Sequence, residues 1–125
     1  EVVQDIPEYF AQMDVEYHYE HRDPERKIFT AHPVTVFGGS LLYKVVGKTQ
    51  IENAPSWHHQ AVKDIENTKL KVTAIRNTCG VDMIESVERP DKTFVLGLQF
   101  HPEIAVVRGL DDLSICYFKA IVSYA

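Results

Sequence analysis

The sequence predicts an α/β fold, and three stretches carry that expectation. Leu70 to Arg76 alternates with period two, Leu70, Val72 and Ala74 on one face and Lys71, Thr73 and Ile75 on the other, as in a half-buried strand. Phe94 to Leu98 is an apolar run of strand length, too short for a typical helix. Leu113, Cys116, Tyr117, Ala120, Ile121 and Tyr124 recur at spacings of three and four, the apolar stripe of a C-terminal helix.

The other elements follow in chain order. Residues 1–33 are the least regular part, a loop or short helix over the sheet edge, with Tyr9 and Phe10 as anchors. His32 to Val36 is extended and rich in β-branched residues. Gly38 and Gly39 break it. Ser40 then suits the N-cap of a short helix, Leu41 to Val46, which Gly47 closes. Lys48 to Ala54 reads as another short strand, and Pro55 to Val62 as a polar, aromatic loop around Trp57. Asn77 to Gly80 is a turn, and Val81 to Glu88 a strand that pairs with the one before it as a hairpin. Arg89 to Lys92 turns into the Phe94 strand. Asp111 and Asp112 suit the first turn of the final helix.

Composition narrows the function. The 125 residues are the size of one domain, 45% hydrophobic and 25% charged, an ordinary globular balance. A net charge of −5 argues against a general nucleic-acid binder, which needs a basic face. No apolar run is long enough to span a membrane, and no signal-peptide pattern is visible. Cys79 and Cys116 make no disulfide framework, so a reducing cytoplasm is the default expectation. The chain begins abruptly at Glu1, which reads as the middle of something longer.

The chemistry gathers at Gln99-Phe100-His101-Pro102-Glu103, the end of the Phe94 strand. Pro102 biases His101 toward extended backbone, and in such backbone residues i and i+2 point the same way. The His101 imidazole and the Glu103 carboxylate can therefore pair, as the base and orienting acid of a catalytic triad do. A simple turn is the plainer reading of that tripeptide alone. The histidines of His18-Tyr19-Glu20-His21 read as a solvated loop. His58 and His59, being adjacent, cannot both face one pocket from a strand. A metal site built from His58, His59 and His101 matches no familiar ligand spacing, and no metal or cofactor is expected.

Four blocks carry a resemblance across essentially the whole chain. They are Gln4-Asp5-Ile6-Pro7; His32-Pro33-Val34 with Gly39-Ser40-x-Leu42; Ser56-x-His58-His59-Gln60-Ala61-Val62; and Leu96-Gly97-x-Gln99-x-His101-Pro102-Glu103. In order and spacing the chain resembles the C-terminal half of class I glutamine amidotransferase-like hydrolases, of the gamma-glutamyl-gamma-aminobutyrate hydrolase type. The resemblance implies a flavodoxin-like α/β domain with a mostly parallel central sheet, a β-hairpin and a C-terminal helix. It also implies thiol acyl transfer. A cysteine attacks a gamma-glutamyl amide, His101 moves the proton, Glu103 orients His101, and Ser56, His58 and Gln60 line the substrate pocket.

The chain departs from that pattern. The family's nucleophile sits in a Gly-x-Cys-x-Gly turn upstream of the first block, and neither Cys79 nor Cys116 occupies such a turn. Residues 1–125 thus read as the C-terminal portion of the domain, with the nucleophile-bearing portion outside them. The expected partners are a small gamma-glutamyl substrate and either a companion chain carrying the cysteine or a second copy of this chain, with no nucleic acid and no membrane. The alternative is a catalytically inactive domain serving as an interaction or dimerisation module. Pro55 stands where the family tends to have Asn, Cys79 where it has Asp, and Phe100 where it has Trp.

Overall fold

The hairpin of β5 (Lys71–Thr78) and β6 (Val81–Glu88) is the longest pairing in the sheet and its middle. A computed structural model describes residues 1–125. The other elements are β1 (Val2–Val3), α1 (Ile6–Gln12), β2 (Thr30–Val36), α2 (Leu41–Val46), β3 (Gln50–Ser56), β4 (Ala61–Val62), β7 (Leu96–Leu98), α3 (Pro102–Val107) and α4 (Ile115–Tyr124). The sheet has seven strands in the order β1-β4-β6-β5-β2-β3, and β7 also pairs with β6. Strands and helices together make the fold α/β, as the sequence predicts.

Every pairing is antiparallel. The expectation of a mostly parallel sheet is therefore corrected for these residues. A parallel neighbour needs a crossover of a dozen or more residues, usually helical. Here a two-residue turn joins β5 to β6, and a loop of seven residues leads from β6 to β7. The Phe94 strand is corrected too. Only Leu96–Leu98 pair, on one side, Leu96 and Leu98 are half-buried, and Val95 is exposed, so β7 is a short edge strand rather than the full run from Phe94.

Local chemistry explains the helices. Asp5 caps α1 through a bond from the Glu8 N–H, and Pro7 sits in its first turn. Ser40 caps α2 by accepting from the Tyr43 N–H at 3.1 Å, and Gly47 ends it at φ 69. Glu88, reaching over from β6, accepts the Leu41 N–H at 2.6 Å and ties the start of α2 to the sheet. α4 begins at Ile115 rather than at Asp111, because Asp111 turns back to accept the Ser114 N–H.

Two apolar clusters hold the layers. Val34, Val36, Leu42, Val46, Ile51, Ala54, Ala74, Phe100 and Tyr117 pack between the sheet, α2 and α4. Val3, Ile6, Phe10, Ala61 and Met83 pack under α1. Ile6 and Phe10 are fully buried, and each contributes about 1.5–3 kcal/mol by leaving water. The stripe on α4 is only partly used. Tyr117 is buried, whereas Ile121 and Tyr124 are 55% and 48% exposed, so the expected packing fails over the last turn.

The β5–β6 turn places Cys79 at φ 50 and Gly80 at φ 85. Two successive left-handed residues are the signature of the tight hairpin turn in which Asn-Gly and Asp-Gly are favoured. An ordinary L side chain is strained there, while Asn is tolerated. Cys79→Asn is expected to stabilise the protein by about 0.5–1 kcal/mol, read as a higher urea midpoint with an unchanged m-value.

Candidate active site

β7 runs through Gln99 and Phe100 into His101, which precedes α3. Pro102 takes the first helical position, where its missing N–H costs nothing, and Glu103 follows in the first turn. This tight transition brings the two side chains together, His101 Nδ1 lying 2.6 Å from Glu103 Oε1. A carboxylate only accepts, so Nδ1 carries the hydrogen and Nε2 keeps its lone pair. The His101 N–H donates to the Pro55 carbonyl at 2.8 Å, and the Phe29 ring stands edge-on to the imidazole at 5.4 Å. Both side chains remain open to a ligand, 36% and 51% exposed. Phe29 also packs on Trp57, with ring centroids 5.0 Å apart, and the Arg108 guanidinium carbon lies over the Phe29 ring, 5.2 Å from its centroid.

An open groove of about 400 Å³ shares Trp57 with this region and is walled also by Gln60, Val62 and Gln99. Of the three residues expected to line a substrate pocket, Gln60 faces it, exposed, with its side chain donating to Gln4 Oε1 at 3.1 Å. Ser56 does not. It is wholly buried, and its hydroxyl donates to the His21 carbonyl at 2.9 Å. His58 also borders the groove, but Nδ1 is bound to the Gln60 carbonyl at 2.7 Å and Nε2 points inward.

What His58 points toward is a cluster that the sequence reading missed. His21, His32, His58 and Glu85 converge so that one polar atom from each lies within 4.8 Å of the others. Glu85 Oε1 is 3.2 Å from His21 Nδ1 and 3.8 Å from both His32 Nε2 and His58 Nε2. Glu85 and His21 are fully buried and His32 nearly so. The 3.2 Å approach is within ion-pair range, yet none of these nitrogens, and neither Glu85 oxygen, has a hydrogen-bond partner. Each such buried group costs about 1–3 kcal/mol. Burial lowers the His21 and His58 pKa values to about 4, lowers that of His32, and raises that of Glu85.

His21 therefore corrects the reading of residues 18–21 as a solvated loop: His18 is exposed, but His21 is core. A signal was present. Met83 and Glu85, like His32 and Val34, are buried at alternate strand positions, so an acid and a histidine stand where the strand period calls for apolar residues. His21 lay in a loop without period, and nothing local marked it. His58, His59 and His101 do not gather: His59 turns to Asp5 at 3.2 Å and His101 to Glu103. Neither thiol hydrogen-bonds the His101 ring, Cys79 being exposed in the hairpin turn and Cys116 packed beside the α2–α4 core.

Comparison with known proteins gives the family and the fold. The family model described as Peptidase C26 matches residues 1–103. A Mycobacterium tuberculosis protein, provisionally named a glutamine amidotransferase, is 39% identical over 98 residues, 78% of this chain and 28% of its own length. A Rickettsia prowazekii protein, provisionally named glutamine amidotransferase-like, is 28% identical over 102 residues, 82% of this chain and 34% of its own. The chain thus spans about a third or less of the curated relatives it matches. Among solved structures, the glutaminase domain of Trypanosoma brucei CTPS with bound acivicin superposes with a TM-score of 0.54 at 24% identity, covering 67% of this chain and 36% of that one. At that identity the likeness concerns the fold.

The placement of Ser56 is open to a direct check. The His21 carbonyl also accepts the His58 N–H at 2.9 Å, so Ser56→Ala leaves it satisfied. The substitution is expected to cost about 1 kcal/mol of stability in urea unfolding, the net worth of one buried hydrogen bond.

Proposed function

The chain belongs to the Peptidase C26 family, of the class I glutamine amidotransferase-like kind, and from that premise we propose that it supplies the histidine–acid half of a site that cleaves gamma-glutamyl amides by thiol acyl transfer. The observation that carries this reading is the 2.6 Å bond from His101 Nδ1 to Glu103 Oε1, at the end of a strand and open to solvent. That bond fixes the ring and leaves Nε2 free to take a proton. A thiol from outside residues 1–125, on the same polypeptide or on a companion, gives its proton to Nε2 and attacks the gamma-carbonyl. His101 then protonates the leaving amine, and water, activated by the same nitrogen, releases glutamate. Glu103 keeps the imidazolium stable through both transfers. Gln60 and Gln99 offer amide donors and acceptors to the glutamyl portion along the groove, with Trp57 as its apolar wall. In this reading Ser56 and His58 act through the backbone, by fixing the loop that carries Gln60.

A second reading, an interaction module without catalysis, is favoured by the apolar side chains that α4 exposes. Phe118, Ile121, Val122 and Tyr124 are all at least 38% exposed, an unusual concentration on a helix of ten residues. The two readings separate by activity, since a pure interaction module has no turnover for His101 to support.

The test uses the polypeptide that carries the thiol together with residues 1–125. His101→Ala is expected to lower kcat for a gamma-glutamyl amide by roughly 10⁶-fold and Glu103→Gln by roughly 10⁴-fold, since losing the base costs more than losing its orienter. Wild-type turnover in His101→Ala would remove His101 from the mechanism.

A further inference from the structure

The cluster around Glu85 is distinct from the His101–Glu103 pair, and none of its four inward-facing polar atoms takes part in the proton transfers just described. Its tautomers follow from its outer partners. His32 Nδ1 lies 3.1 Å from the Pro33 carbonyl and His58 Nδ1 2.7 Å from the Gln60 carbonyl. Carbonyls only accept, so both Nδ1 atoms carry hydrogen and both Nε2 atoms present lone pairs. His21 Nε2 lies 2.8 Å from Thr78 Oγ1, whose own hydrogen goes to Glu20. Glu20 is held as a carboxylate by a two-pronged bond from Arg76. Thr78 must then accept from His21, which leaves Nδ1 as the lone pair.

Three imidazole lone pairs and a carboxylate thus face one point in the interior. A count of partners decides what fits there. One proton on Glu85 satisfies a single nitrogen and leaves two facing one another. One water donates to two of the four groups. One dication satisfies all four at once. The arrangement also has the outer architecture of a metal site, in which each ligating histidine donates its other N–H to a carbonyl or hydroxyl.

We propose that His21 Nδ1, His32 Nε2, His58 Nε2 and a Glu85 carboxylate oxygen bind one divalent transition-metal ion of the zinc class. Imidazole nitrogen with one carboxylate suits Zn²⁺, and four protein ligands with no open position mark a structural rather than a catalytic site. Tetrahedral bonds of the usual length put ligand atoms about 3.3 Å apart. The three distances to Glu85 Oε1, 3.2, 3.8 and 3.8 Å, close to that value through small ring rotations. His58, 8% exposed at the groove wall, is the route by which the ion enters. The ion clamps four segments distant in sequence: the loop at His21, β2, the loop after β3, and β6.

The experiment titrates metal-stripped protein with Co²⁺ alone, read by visible absorption and by the imidazole signals in NMR. The expected result is one equivalent bound, with the intense absorption of four-coordinate cobalt and with the His21, His32 and His58 resonances shifted beyond the ordinary range. His32→Asn is expected to weaken binding by at least about 100-fold, more than losing a group that only braces a ligating histidine does. His18→Ala, at an exposed histidine, leaves it unchanged. If His32→Asn does not fold, the resonances of the unaltered protein still decide. Absence of stoichiometric binding overturns the proposal, and so does cobalt that shifts only His18, His59 or His101.

Discussion

Glu85 places a carboxylate in the interior of β6 with no exposure to solvent, and much of the molecule is arranged around that fact. An isolated buried carboxylate is costly enough that it must be neutralised or partnered. The chain brings three histidines to it from His21, β2 and the loop after β3. The supporting bonds run outward from there. The His21 carbonyl accepts from both Ser56 and the His58 backbone. His21 Nε2 leans on Thr78, and Thr78 on the Glu20–Arg76 pair. Even the backbone of Glu85 participates, since its carbonyl accepts the Gln99 N–H at 2.9 Å.

That last bond links the core to the chemistry. Gln99 lies two residues before His101, and the His101 N–H is fixed by the Pro55 carbonyl next to Ser56. The segment that carries the dyad is thereby held by β6 at Gln99 and by the end of β3 at His101. β7 has only three residues and pairs on one edge, too little to position a base by itself. The placement of His101 rests instead on backbone bonds to β6 and to the end of β3, two strands that adjoin the buried cluster. A rigid interior supporting a half-exposed histidine is the arrangement that proton transfer needs, because the base must hold its angle while remaining open to substrate.

How much was legible in the sequence differs between these two parts. Ser40 and Gly47 mark α2 because capping and left-handed closure are local chemistry. The β5–β6 hairpin follows from alternation around Cys79-Gly80. The His101–Glu103 pairing is legible, but not for the reason the sequence suggests: extended backbone is expected there, whereas Pro102 and Glu103 open α3 and the strand-to-helix transition brings the two side chains together. The histidine cluster joins residues as far apart as His21 and Glu85, so no local period announces it; the signals are Glu85 and His32 at inward strand positions. The sheet is antiparallel where the family pattern for a whole domain implies parallel strands; the β5–β6 and β6–β7 connections are too short for crossovers, and β2 and β3 pair antiparallel although α2 lies between them. The family resemblance puts Ser56 and His58 in a pocket, whereas the Ser56 hydroxyl and His58 Nε2 turn to the interior.

The measurement that bears most directly on the functional account is intact-mass spectrometry of the thiol-bearing assembly, quenched in acid during turnover of a gamma-glutamyl amide. Thiol acyl transfer with His101 as base predicts a glutamyl adduct on a cysteine other than Cys79 and Cys116. An adduct on either of those two residues, or turnover that continues after every cysteine has been alkylated, would contradict it.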